Sequence, residues 1–286
     1  MSTVVPFGRR LHDAIERTGR LCVGIDPTSK DLAAWGLPDD ARGAARLAAT
    51  IVEASAGRVP IVKPQSAYFE RFGPDGIDAL AQTIGLAHEA GLLVLLDAKR
   101  GDIGSTNAAY AEAYLRVGAP LAVDAITVSP IAGVGSLDPF VHVAREEGAG
   151  LFVLARTSNP EAHQLQTSRD QDGRTVAQNV LEWLRVQNGD EEIGSFGCVF
   201  GATVEDSREW LDGLDAFVLA PGVGVQGATP DDLARRFPNG RLVLPTTSRA
   251  IAAAGPSVDA VAEAVASMAA ACTDALRGAV DEEAAR

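Results

Sequence analysis

Short apolar, β-branched runs recur along the chain at 21–25, 60–62, 92–96, 125–128, 151–154, 198–200, 217–219 and 242–244, separated by segments with helical patterning. The runs are too continuous for half-exposed antiparallel strands and fit strands covered on both faces, as in a parallel sheet flanked by helices. Between them, Ile77, Leu80, Ile84 and Ala87 mark one apolar stripe over 75–90, with Gly91 placed to end that helix in a left-handed conformation. The same alternation recurs through Leu47, Ile51 and Val52, through Val176, Val180 and Leu184, and through Val258, Val261 and Val265. Eight βα units in 286 residues predict one closed (β/α)8 barrel domain spanning 1–286, with a helical lead-in over 1–20 and a frayed tail over 281–286. A doubly wound open sheet is the competing architecture. The polar stretch 159–174 has no helical stripe and predicts a long loop, either a lid or a surface insertion.

Composition narrows the classes of partner. The chain is 47% hydrophobic, 22% charged and carries a formal net charge of −13, which opposes binding to nucleic acid or to anionic lipid. A few basic side chains converging in a cleft still permit a small anionic substrate. The first twenty residues mix Arg9, Arg10, Asp13, Glu16 and Arg17 and contain no signal-like apolar core, and no run has spanning character, so a cytoplasmic protein is expected. Cys22, Cys198 and Cys272 are widely spaced and read as reduced core thiols.

The chemistry gathers where the strands end, and in a barrel all those ends open on one face. Asp26 follows the first run, Lys63 the second, Asp97 and Lys99 the third, Thr127 and Ser129 the fourth, and Arg156 and Ser158 the fifth. Thr203 follows the sixth, Gln226 lies beyond the seventh, and Arg249 ends the eighth. Thr127 and Thr203 read individually as turn or cap residues. Strand alternation points Asp97 and Lys99 the same way, and Lys63 stands on the neighbouring strand at similar height, so two ammonium groups and a carboxylate share one mouth. Asp102 follows in the turn. The plainer alternative is a salt-bridged rim with Asp102 capping the next helix.

The run Pro221-Gly-Val-Gly224-Val-Gln226-Gly227 contains G-x-G-x-x-G, but it does not open a helix directly. Thr229, Pro230 and Asp232 instead predict a capped helix start further on. A glycine loop with exposed N–H groups, together with Arg249, fits phosphate binding between strands seven and eight. His12, His88, His142 and His163 fall in helical or loop segments away from the strand ends with no metal-ligand spacing, so no metal is assigned.

Taken together, Val62-Lys63-Pro64-Gln65, Leu96-Asp97-Ala-Lys99-Arg-Gly-Asp102-Ile103-Gly104-Ser-Thr106, Arg156-Thr-Ser158-Asn-Pro160, Ala220-Pro-Gly-Val-Gly-Val-Gln226-Gly227 and Ser248-Arg249-Ala-Ile resemble orotidine 5′-phosphate decarboxylase, in its longer bacterial (type 2) branch. The resemblance spans nearly the whole chain, and the D-x-K-x-x-D block is its specific part. It implies that Lys99 is the proton donor, with Asp97, Lys63 and Asp102 forming a charged array around the reacting carbon. It further implies that Asp26 holds a ribose hydroxyl, Ser158 contacts the pyrimidine, and Gln226 and Arg249 bind the phosphate. Asp102, Ile103 and Thr106 would reach the neighbouring subunit's site, making a homodimer. The implied reaction takes orotidine 5′-phosphate to UMP and CO2 with no cofactor.

The residues fit that chemistry independently of the name, since a fixed ammonium can stabilise and then protonate a ring carbanion. Three other readings stay open on the residues alone. They are a lyase forming a Schiff base at Lys63 or Lys99, a Mg2+-dependent decarboxylase of a sugar-acid phosphate, and a non-catalytic nucleotide sensor.

Overall fold

The eight apolar runs are eight strands: β1 Cys22–Ile25, β2 Ile61–Pro64, β3 Leu93–Arg100, β4 Ala125–Val128, β5 Gly150–Arg156, β6 Gly194–Phe200, β7 Ala216–Pro221 and β8 Val243–Thr247. Every neighbouring pair is parallel, and β1 pairs with β8 to close the barrel, which rules out the open sheet. The computed structural model describes residues 4–204, 210–211, 213–224, 227–237 and 242–284.

Period-two alternation divides the strand residues between two cores. Val23, Val62, Val94, Leu96, Ile126 and Val128 pack outward against the helices. Cys22, Ile61, Leu95, Ala125, Phe152, Val199, Leu219 and Leu244 fill the barrel interior. The lead-in forms helix Phe7–Thr18, whose Phe7, Leu11 and Ile15 join that interior core, with the Phe7 ring set edge-on to Phe152 at 6.0 Å. Helix and apolar layers thus close one end, and the chemistry is left to the other.

Several strands run further toward that open end than their apolar runs. Lys63, Asp97, Lys99 and Thr127 lie within strands rather than after them. The ladder is made by backbone groups, so polar side chains extend a strand as long as they face the mouth. Helix Gly73–Glu89 ends before Gly91, whose φ is +74°, as its pattern predicts. Cys22, Cys198 and Cys272 are free and buried, and burial pushes the Cys22 thiol up to about 12.

Two expectations need correction. The stretch 159–174 is not wholly loop: it holds helix Ala162–Gln166, too short to show a stripe, and Arg169 pairs with Thr175 in an antiparallel bridge. Gln166 ties that helix to the end of β5, accepting from the Thr157 N–H at 2.8 Å and donating to its hydroxyl at 3.0 Å. The tail expected to fray from Asp281 continues helix Val258–Ala284, in keeping with its alanine-rich sequence. Among the described residues no helix is long and apolar enough to cross a membrane.

Candidate active site

Along four strands the interior positions change from apolar to polar within one alternation step toward the open end. Lys63 stands two after Ile61, Asp97 two after Leu95, Thr127 two after Ala125, and Thr246 two after Leu244. All four are buried. Asp97 is the hub. Its Oδ2 accepts from Lys63 Nζ at 2.9 Å and Gln65 Nε2 at 3.1 Å; its Oδ1 accepts from Lys99 Nζ at 2.6 Å and from the Thr127 hydroxyl at 2.9 Å. Four donors saturate the carboxylate. Burial alone would raise its pKa, but Lys63 and Lys99 outweigh burial and hold it below the ordinary carboxylate range. Lys63 is the mirror case: burial pushes it down, and Asp97 and Asp26 more than reverse that.

Lys99 reaches the hub by an irregular route. Between Leu96 and Arg100 the β3–β4 register shifts, four steps on β3 facing two on β4 (Leu96↔Ile126, Arg100↔Val128). Lys99 has φ +47°, the only non-glycine residue with positive φ among the described residues, a conformation that costs about 1–3 kcal/mol. Its N–H donates to the Thr127 hydroxyl at 2.9 Å. Asp97 and Lys99 therefore do share a pocket, but through a bulge rather than by plain alternation. Gly101 follows because a Cβ there would meet the Ser129 carbonyl oxygen at 2.3 Å. Lys63 keeps only 8% of its side chain exposed whereas Lys99 keeps 47%, so Lys99 is the ammonium available to a ligand.

Asp97 separates two cavities. One, of about 170 Å³, lies over β1, β2, β7 and β8 and is lined by Asp26, Lys63, Gly222, Thr247, Ser248 and Arg249. There Asp26 Oδ2 accepts from the Ser248 hydroxyl at 2.6 Å, while Asp26 Oδ1 is buried with no protein partner. The other, of about 380 Å³, lies between Lys99 and helix Ser66–Glu70. Counting Lys63, Lys99 and Arg249 against Asp26 and Asp97, the mouth carries one positive charge in excess on a strongly acidic chain, which suits an anionic ligand.

The remaining candidates divide. Ser158 lines a separate recess of about 490 Å³ with Arg156, Thr203 and His163, so His163 is not remote from the strand ends as expected. The short helix Ala162–Gln166 carries it there. His12 lies on the lead-in helix that closes the far end, and His88 and His142 on outer helices, beside Asp13, Asp124 and Glu146 respectively. Asp102, Ile103 and Thr106 are exposed and take no part in the Asp97 hub. Asn107, fully buried, clamps their base by accepting the Asp102 N–H at 2.9 Å and donating to the Asp102 and Ser136 carbonyls.

In the glycine loop, Gly222, Gly224 and Gly227 all have positive φ. Of the loop's described amides, the N–H groups of Gly224, Gly227 and Ala228 bond within the loop and so are not among the exposed donors expected there. Thr229 and Asp232 form the expected capping box. Gln226 lies outside the described residues. Among the described residues no cluster of three or more His, Cys, Asp or Glu could hold a metal ion. Sequence reading passed over Thr127, Gln65 and Ser248 as site residues; for Thr127 the available signal was its place two residues after Ala125 on an interior face.

Comparison with known proteins points one way. The orotidine 5′-phosphate decarboxylase / HUMPS family matches residues 19–264. An orotidine 5′-phosphate decarboxylase of Streptomyces coelicolor is 54% identical over 258 residues, covering 90% of this chain and 93% of its own. That of Salinispora tropica is 52% identical over 274 residues, covering 95% and 99%. A Streptomyces avermitilis crystal structure assigned to the same enzyme superposes with a TM-score of 0.93 at 50% identity, covering 96% of this chain and 97% of that one.

Proposed function

The chain belongs to the orotidine 5′-phosphate decarboxylase / HUMPS family, and from that premise we infer that it converts orotidine 5′-phosphate to UMP and CO2 in pyrimidine nucleotide synthesis, without a cofactor and with Lys99 as proton donor. The observation that carries the reading is the half-exposed Lys99 ammonium, held 2.6 Å from a carboxylate whose acceptor positions are all taken. Loss of CO2 leaves an electron pair on the ring carbon. Lys99 stabilises that charge as it develops, transfers one proton to the carbon, and is reprotonated from solvent.

On this reading Asp97 faces the departing carboxylate. Two charges about 4 Å apart repel by about 4 kcal/mol at an effective dielectric near 20, whereas enzymes lower barriers by about 8–23 kcal/mol. Repulsion is therefore the minor part, and the fixed ammonium and phosphate binding supply the rest. Asp26, with one buried oxygen lacking a protein partner, is suited to a ribose hydroxyl. Arg249 with Gln226 would take the phosphate, and Ser158 the pyrimidine. The identity with the Streptomyces coelicolor and Salinispora tropica relatives fits the longer bacterial branch, a single-domain cytoplasmic enzyme.

The shared-site homodimer belongs to the same reading. Asp102, Ile103 and Thr106 project outward on a clamped base, Ile103 with 65% of its surface exposed, and the cavity beside Lys99 is their counterpart. Mixing Lys99→Ala with Asp102→Ala subunits should restore roughly a quarter of wild-type sites, because each mixed dimer regains one intact site. No recovery despite demonstrated subunit exchange would refute the arrangement. A Schiff-base mechanism predicts that borohydride inactivates the enzyme in the presence of substrate; we expect full activity after that treatment.

A further inference from the structure

We propose that Thr127 is a positioning residue for Lys99, its buried hydroxyl holding the strained lysine backbone and the Asp97 carboxylate in one fixed arrangement. The inference rests on the reading of Lys99 as the group that acts on substrate.

Three hydrogen bonds form a closed circuit. The Lys99 N–H donates to Thr127 Oγ1 at 2.9 Å, the Thr127 hydroxyl donates to Asp97 Oδ1 at 2.9 Å, and Lys99 Nζ donates to the same oxygen at 2.6 Å. Thr127 is 1% exposed and lies inside β4, where its branched side chain has little rotamer freedom. A strained backbone persists only where its surroundings over-determine it. At Lys99 the register shift between Leu96 and Arg100 interrupts the regular pairing with β4, and the Thr127 side chain accepts the lysine N–H. The same hydroxyl orients the carboxylate that aims the ammonium. One side chain thereby sets both ends of Lys99, its backbone and its Nζ.

A hydroxyl is required on this account, and the β-branched shape alone is not enough. Thr127→Val keeps the volume and the Cβ branch but leaves the Lys99 N–H without a partner and Asp97 Oδ1 with Lys99 Nζ as its one remaining donor. An ammonium displaced by even about 1 Å loses on the order of 100-fold in rate.

The test measures kcat, KM and UMP affinity for Thr127→Val, Thr127→Ser and Lys99→Ala, with active sites counted by UMP titration so that misfolded protein is excluded. Thr127→Val should lower kcat about 30- to 100-fold per site, with KM and UMP affinity within about threefold of wild type, and Thr127→Ser should return kcat to within about fivefold. If Thr127→Val keeps kcat within threefold, or if Ser and Val are equally impaired, the proposal is wrong. Should Thr127→Val not fold, Thr127→Ala is read against Thr127→Ser by the same criteria. Wild-type turnover by Lys99→Ala would instead overturn the reading of Lys99. An inactive Lys99→Ala beside a fully active Thr127→Val removes only the role given to Thr127.

Discussion

Lys99→Ala should lower kcat by at least about 10⁴-fold while leaving UMP binding within a few-fold of wild type. Two functions disappear together. Electrostatic stabilisation of a developing charge contributes roughly 10²- to 10³-fold for a single preorganised donor, and a positioned general acid contributes roughly 10²- to 10⁴-fold. Lys63 cannot substitute, because it is buried against Asp97 and Asp26 with 8% of its side chain exposed. The fold should survive, since the lost side chain is half-exposed, Asp97 keeps Lys63, Gln65 and Thr127 as donors, and alanine meets the same positive φ as lysine. Steady-state kinetics with a parallel thermal melt checks both halves. Activity within tenfold of wild type would remove Lys99 from the reaction.

Asp97→Ala should damage fold and activity together. It leaves Lys63 buried beside one remaining carboxylate, and breaking a buried ion pair from one side costs about 3–5 kcal/mol. The pH dependence identifies the cause. In the wild type Asp97 is held below its ordinary value of 3.8, so its contribution is present above that pH and fades as the pH falls through the depressed pKa. Lys63 is held above its ordinary 10.5, so its contribution persists below that pH and fades only as the pH rises beyond it. Without Asp97, burial dominates and Lys63 falls below 10.5. The charged lysine then destabilises the fold at neutral pH, and stability returns as it deprotonates. The melting-temperature deficit of the variant should therefore narrow between pH 7 and pH 10. A deficit that is constant across that range would show that the hub is not an electrostatic one.

The barrel is legible in the sequence because strands covered on both faces are continuous apolar runs, and all eight runs, with their order, became β1 to β8. Their C-terminal limits are less so: Lys63, Asp97 and Lys99 break the apolar pattern while the strands continue through them. Lys63, Asp97 and Lys99 could be grouped by alternation and strand adjacency. What alternation cannot reveal is the bulge at Lys99, since a positive φ on a lysine is imposed by tertiary contacts and leaves no mark in composition. Thr127 was hidden for a related reason. A threonine near a strand end has a local capping role that explains it adequately until its partners across the barrel mouth are known. In the glycine loop the spacing gives the turns but not where the amides of Gly224 and Gly227 point.

The most direct measurement follows orotidine 5′-phosphate with purified, EDTA-treated protein and quantifies UMP and CO2. Equimolar appearance of both at a rate the chelator does not alter is the expected result if, as proposed, a protein-borne ammonium supplies the stabilisation and the proton. Absence of UMP, or UMP formed only when Mg2+ is restored, would contradict the assignment of cofactor-free decarboxylation to the Lys63, Asp97 and Lys99 array.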